Sequence, residues 1–367
     1  MSAPRPRPGI LEITPYVGGK AKSASSKPIA KLSSNESPLG PSPKAMAAYR
    51  ELAGELHRYP DGHCTALRQA IGRRFNLDPE LTVCGAGSDE LIALLIRAYA
   101  GPGDEVLYSR HGFLMYPLGA LAAGAHPVAA PEQDLKADVE ALLAKVSSRT
   151  RLVFVANPNN PTGSYLSGAE LDRLHAGLPE DVILVVDAAY AEYATAPDYA
   201  SGLELARRTP NTVMLRTFSK LFGLGALRLG WMTAAPSIID VMNRVRGPFN
   251  VSQAAQAAGV AALEDLEHQE RARAHNATWL PWLTRELTAL GLRVHPSLGN
   301  FVLVDFPPEP GRNAAAANAF LEAEGIIPRM MGAYGLPASL RITVGLEEEN
   351  RRVVAALAGF LQGQVAA

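Results

Sequence analysis

The sequence predicts an α/β architecture: a large domain with a mainly parallel sheet sandwiched by helices, followed by a smaller α+β C-terminal domain. Three observations carry this expectation. Brief apolar runs alternate with helical segments or turn clusters between residues 82 and 233, the pattern of strands buried on both faces and joined by crossover helices. The character changes after Pro248, where a long Ala-rich stretch begins. The 367 residues are too many for one small module at ~100–200 residues per domain.

In chain order, residues 1–41 read as an N-terminal arm. Its first part, 1–30, has few large apolar side chains and many Pro, Gly, Ser and Lys, so it is expected to pack only where a partner surface holds it. From Ser42 the pattern is regular, with a Pro43-initiated helix to about residue 56, a helix over 65–75 and a short strand over 82–84. Candidate buried strands follow at 105–108, 152–156, 182–187, 213–216 and 229–233, completing a large domain over 42–248. The remainder, 249–367, is expected to hold one long helix over 252–290, short strands at 301–305 and 340–344, and a closing helix from Glu347.

Composition narrows the function classes. With 47% hydrophobic and 19% charged residues the chain has an ordinary soluble composition, and a net charge of −1 gives no drive toward nucleic acid or anionic lipid. The apolar stretch 91–100 is short and contains Arg97, which argues against a membrane span, and residues 1–8 lack the apolar core of a secretory signal. Cys64 and Cys84, the only cysteines, have no metal or Cys-x-x-Cys spacing, and read as reduced, structural and cytoplasmic. The histidines form no pair with metal spacing, and no nucleophile elbow or Walker-type loop is present. Small-molecule chemistry without a metal is the expectation.

In a parallel sheet ligands bind beyond the carboxyl ends of the strands, and three predicted strand ends carry polar residues that a packed core would not select. Asn157-Pro-Asn-Asn-Pro-Thr-Gly163 follows Ala156, Asp187-Ala-Ala-Tyr190 ends the next strand, and Thr217-Phe-Ser-Lys220 follows the third. Lys220 is the only lysine after Lys145, a stretch in which every other positive charge is written as Arg; an amine can form a Schiff base with a carbonyl cofactor and a guanidinium cannot. Asp187 would be a costly strand-end carboxylate unless a cation such as a protonated pyridine nitrogen met it, and Tyr190 could donate to an oxygen on the same ring. Taken alone, such a lysine is more often a solvated surface residue and such an aspartate more often a cap.

Gly85-Ala-Gly87-Ser88-Asp89-Glu90 lies between a predicted strand and an apolar-periodic helix, where free amides and the helix dipole offer an anion site. It lacks the third glycine of the dinucleotide fingerprint, which argues against a nicotinamide site. Ser219 and Arg228 could serve the same anion. Ser88 and Asp89 also read simply as helix caps.

Together these segments resemble the three signature regions of the fold-type I, pyridoxal-phosphate-dependent aminotransferases, with a likeness extending from Tyr16 to at least Gly345. Within that family the likeness points to the histidinol-phosphate branch, through Asn35-Glu-Ser-Pro-Leu-Gly40, Arg58-Tyr-Pro-Asp61, Gly87-Ser-Asp-Glu90 and Leu340-Arg-Ile-Thr-Val-Gly345. The resemblance implies pyridoxal 5′-phosphate as cofactor, a homodimer with shared active sites, and transamination between histidinol phosphate and 2-oxoglutarate in histidine biosynthesis. An aromatic amino acid aminotransferase and a decarboxylase of a phosphorylated amino acid stay open as alternatives.

By the same resemblance Lys220 would bond the cofactor, Asp187 would pair with its ring nitrogen, Asn157 and Tyr190 with its ring hydroxyl, and Phe113 would stack on its face. Gly87, Ser88, Asp89, Thr217, Ser219 and Arg228 would surround its phosphate, joined by Tyr59 from the other subunit. Arg341 would hold the substrate anion, with Tyr16, Asn35 and Arg329 nearby. Where the family often has Pro-Gly-Lys, this chain has Gly18-Gly19-Lys20, and Phe113 stands at a position that is often Tyr.

Overall fold

A computed structural model describes residues 6–22 and 25–363; residues 1–5 and 23–24 of the expected arm and 364–367 of the expected small domain lie outside the described residues. Seven strands form the main sheet, in the spatial order Thr82–Gly85, Gly230–Thr233, Thr212–Thr217, Ile183–Asp187, Thr150–Ala156, Glu105–Ser109 and His126–Ala130. All neighbours run parallel except Gly230–Thr233, which is antiparallel to both strands beside it. The sheet is therefore mainly parallel, as the apolar runs predict. His126–Ala130 was not among the expected strands: it is an edge strand with Pro127 inside it, and a proline is tolerated there because an edge can forgo a ladder hydrogen bond.

Successive side chains on a strand point to opposite faces, and here both faces are buried. Phe154, Val185, Leu215 and Met232 pack against Leu91, Leu95 and Tyr116 on one side. Val153, Val155, Leu184 and Val186 pack against Leu142, Leu171 and Leu174 on the other. Double-sided burial is why these strands read as continuous apolar runs rather than as alternating ones.

The single helix expected over 252–290 is two, Gln253–Glu264 and Leu266–Ala289. Asp265 interrupts them with φ −90° and ψ 71°, and its carboxylate accepts from the His268 backbone N–H as a cap. Helix propensity is high across the join, but the two pieces bury against different partners. Ala255, Ala258 and Ala262 pack with Leu67, Phe218 and Trp231 of the large unit, whereas Leu283 and Leu287 pack with Val302, Ile342 and Leu357. Residues 253–264, assigned from sequence to the small domain, thus lie against the large one.

The C-terminal part holds an antiparallel sheet in the order Arg293–His295, Phe301–Asp305, Leu336–Thr343, Arg329–Met331. The arm does not wait for a partner surface. Ala30–Lys31 pairs parallel to Ile326–Ile327, Ala30 and Leu32 join the core of the C-terminal part, and Lys20 bonds Glu322 at 2.8 Å. Arg7 donates to the Ala122 carbonyl at 2.7 Å. A two-residue strand, Ala30–Lys31, together with these polar contacts holds it, and a strand that short does not stand out in the sequence.

Candidate active site

Parallel pairing sets Ala156 beside Asp187 and Asp187 beside Leu215, so the segments after these strands share one rim. They open into a cavity of about 280 Å³. Lys220, Asp187, Tyr190, Thr217 and Ser219 line it from this rim, Ser88, Asp89, Phe113 and Arg228 from the next strand ends, and Tyr16, Asn35, Arg329 and Arg341 from the arm and the C-terminal sheet. Of the residues expected at the site from sequence, Gly87, Asn157 and Tyr59 are not in its wall.

Asp187 is buried in the wall, where its Oδ2 accepts from the Tyr116 hydroxyl at 2.9 Å and its Oδ1 has no hydrogen-bond partner. Burial, with the Asp89 charge adding to it, pushes its carboxyl up to about 6 against the opposing pull of the Tyr116 hydrogen bond, the nearby Ala189 backbone N–H and the Lys220 charge. Lys220 donates from Nζ to the Ser34 carbonyl at 3.1 Å and lies 5.6 Å from the centre of the Tyr190 ring. The Tyr190 hydroxyl accepts from Asn35 Nδ2 at 2.8 Å, which leaves its own proton free to be donated into the cavity.

The helix Ser88–Tyr99 begins without a side-chain cap, its N-cap being Gly87 at φ 83°. Asp89 instead pairs with Arg228 at 3.0 Å, so the capping alternative for Ser88 and Asp89 is not realised. Arg228 also donates toward Ser219 Oγ at 3.3 Å. Gly87 acts by what it lacks: a Cβ there would stand 2.4 Å from Arg228 Nη2. Uncapped amides, a guanidinium and two hydroxyls form an anion cradle at this end.

At the opposite end Arg341 is 4% exposed. It donates to the Ser33 carbonyl at 2.8 Å and to Asn160 Oδ1, while its Nε has no partner. Burial pushes its pKa down, yet a guanidinium stays charged in proteins, so a buried cation faces the cavity with a donor to spare. Arg329 sits further out, donating to the Val17 carbonyl at 2.8 Å and to the Tyr16 hydroxyl at 3.3 Å.

Asn157 and Asn160 sit differently in the turn that follows Ala156. Asn157 is fully buried, and its side chain is consumed by the fold: Nδ2 donates to the carbonyls of Leu166 and Ala200 at 3.0 and 2.8 Å, and Oδ1 accepts from the Leu166 backbone N–H at 2.8 Å. It closes the 157–166 turn onto the sheet, with both amide protons spent on backbone carbonyls. Asn160, three residues on, lines the cavity instead. Both asparagines sit in one turn, and only its path decides which faces inward. Tyr116, in the first turn of the helix Met115–Ala123, was also missed.

Among the described residues no cluster of His, Cys, Asp and Glu could hold a metal ion, and no helix is long and apolar enough to cross a membrane. Both cysteines are free and buried.

A sheet rim that joins a half-buried amine, an unsatisfied carboxylate oxygen and a group of anion-binding donors is the equipment of lysine-based amino-group chemistry. The chain belongs to the class I and II aminotransferases, whose family model matches residues 27–357. It is similar to the histidinol-phosphate aminotransferase of Rhodospirillum centenum, with 61% identity over 99% of this chain and 100% of that one. The enzyme of the same name from Paramagnetospirillum magneticum is 57% identical over 98% of this chain and 99% of that one. The crystal structure of histidinol-phosphate aminotransferase from Sinorhizobium meliloti in complex with pyridoxal-5′-phosphate superposes with a TM-score of 0.89 at 30% identity, covering 99% of each chain.

Proposed function

We propose that this chain is a pyridoxal-5′-phosphate-dependent aminotransferase that moves the amino group of histidinol phosphate to 2-oxoglutarate, forming imidazole acetol phosphate and glutamate in histidine biosynthesis. The observation that carries this is one cavity holding both Lys220 and an Asp187 oxygen without a partner. A protonated ring nitrogen satisfies that oxygen, the amides at Ser88 with Arg228 fit a phosphate, and Phe113 offers its ring to another ring. Bound pyridoxal phosphate supplies a carbonyl carbon that amines attack and a ring that draws electrons from the bonds of the amine's carbon.

The chain's residues do the rest. Nζ of Lys220 would take the proton from the amine-bearing carbon of the donor and deliver it to the cofactor's carbonyl-derived carbon, on the other side of the amino nitrogen. Asp187 keeps its negative charge opposite the ring nitrogen, and Tyr190, its oxygen already engaged by Asn35, donates its proton to the ring hydroxyl oxygen. The fork of Arg341 receives the anionic end of each substrate, phosphate or carboxylate, in the same geometry, with Arg329 and Tyr16 at the mouth. Two substrates using one anion site in turn predict ping-pong kinetics. The names of relatives at 57 and 61% identity support histidinol phosphate as donor.

The proposal includes a homodimer. Tyr59 is 83% exposed and stacks on Phe249 at 4.7 Å, outside its own chain's cavity, which supports its reaching the phosphate bound by a second copy. It also includes a two-domain division, with the seam at Asp265 rather than at 248, and a cytoplasmic location, supported by the two free thiols.

The test is direct. Purified protein given histidinol phosphate and 2-oxoglutarate is expected to form glutamate, and to do so far faster than with phenylalanine or threonine phosphate as donor. Faster turnover of phenylalanine would favour an aromatic aminotransferase, release of carbon dioxide would favour a decarboxylase, and no reaction with any donor would end the proposal. Sedimentation at micromolar concentration checks the dimer.

A further inference from the structure

We propose that Tyr116 is a positioning residue for this chemistry: its hydroxyl anchors one oxygen of Asp187 so that the other, Oδ1, is presented to the ring nitrogen of the cofactor. The inference rests on the pyridoxal phosphate reading above and deepens it.

Tyr116 is fully buried in the layer of helices over the sheet, a place where phenylalanine would fill the same space without a polar atom to satisfy. Its ring stacks on Phe154 with centroids 4.6 Å apart and planes 18° apart, and Phe113 meets it edge-on at 6.0 Å. Packing on both sides fixes the ring, and with it the hydroxyl. That hydroxyl spends its proton on Asp187 Oδ2 at 2.9 Å. An ionised carboxylate only accepts, so the phenol must be the donor, and burial together with the Asp187 charge pushes its pKa well above the usual value. It is a donor at every working pH.

The consequence is orientation. The Tyr116 hydroxyl, aided by the Ala189 backbone N–H beside the carboxyl, limits its rotation, and with Oδ2 engaged the oxygen left without a partner is Oδ1. A hydrogen bond to a charged group also stabilises the ionised form that the ring nitrogen needs opposite it. Through its edge contact with Phe113, the same ring also supports the side chain offered to the cofactor's face.

Tyr116→Phe removes the hydroxyl and keeps the ring. In the holoenzyme kcat is expected to fall roughly 10-fold, the worth of one charge-assisted hydrogen bond, with KM for the amino donor changed less than about 2-fold. Equilibrium dialysis should show pyridoxal phosphate held roughly 10-fold more weakly. The pH at which the visible band of the bound cofactor changes should move in the same direction as in Asp187→Asn, by less. In an Asp187→Asn background the second substitution should add nothing, because the hydroxyl acts only through that carboxylate. Replacing Tyr116 by 3-fluorotyrosine, a stronger donor of the same shape, should move the band the other way, and provides the test if the phenylalanine variant folds poorly. Losses that add in the double variant, or a band, affinity and kcat that match the parent in both single variants, overturn the inference. A parent protein with no visible band and no bound pyridoxal phosphate would instead overturn the function reading on which it rests.

Discussion

The two ends of the cavity are built in different ways. The cofactor end grows from neighbouring strands of one sheet: Asp187 ends one strand, and Lys220 stands three residues past Thr217, the end of the next. The substrate end is gathered from far apart in the chain, with Tyr16 and Asn35 from the arm and Arg329 and Arg341 from the C-terminal sheet. Protection falls away along it, from Arg341 at 4% exposed to Tyr16 at 46%. On the proposed assignment, the reactive groups sit at the ends of the main sheet's strands, and the groups that would recognise substrates sit on pieces outside that sheet.

Substitutions test this contrast. Lys220→Ala should cost about 10⁴-fold in turnover, the upper range for a positioned proton carrier, and erase the visible cofactor band; appreciable turnover without added amine would break the assignment. Arg341→Lys should raise KM for both substrates roughly 10- to 100-fold with kcat much less changed, because an ammonium cannot reproduce the fork; equal losses in kcat would move Arg341 to the reactive end.

The cofactor-free protein offers a pH test. Asp187 has its folded pKa pushed up to about 6, above the ordinary carboxyl value of about 3.9. The native state therefore holds a proton that the unfolded chain has lost, and the resulting stability is complete below about pH 4 and is lost as pH rises through about 6. Thermal unfolding should show the midpoint falling over that window relative to Asp187→Asn, and a slope shared by both proteins would refute the assignment. Asn157→Ala and Asn160→Ala sharpen the contrast further. The first should lower stability by about 2 kcal/mol, for orphaned buried partners, with the cofactor band unchanged, and the second should leave stability intact and raise KM a few-fold.

How much the sequence discloses follows the same division. Lys220, Asp187 and Tyr190 were legible because strands buried on both faces announce themselves as apolar runs, and polar residues directly after them have nowhere else to be than the rim. The anion cradle was legible from Gly87-Ser88-Asp89. Inside a turn no periodicity operates, so Asn157 and Asn160 could not be told apart until the backbone path was known. Tyr116 drew no notice, since the partner of its hydroxyl lies 71 residues away. The break at Asp265 was hidden because alanine-rich helices read alike whichever core they face, and the arm's hold on the C-terminal part depends on a strand of only two residues.

That short strand has a mechanical consequence. Three consecutive residues just beyond it touch three working side chains: the Ser33 carbonyl accepts from Arg341, the Ser34 carbonyl accepts from Lys220, and Asn35, at φ 53°, donates to Tyr190. The arm is thus a seam stitched through the site, tying the Arg341 guanidinium to the Lys220 amine. Tugging on either thread draws on the other, although no covalent path shorter than a hundred residues joins position 220 to position 341.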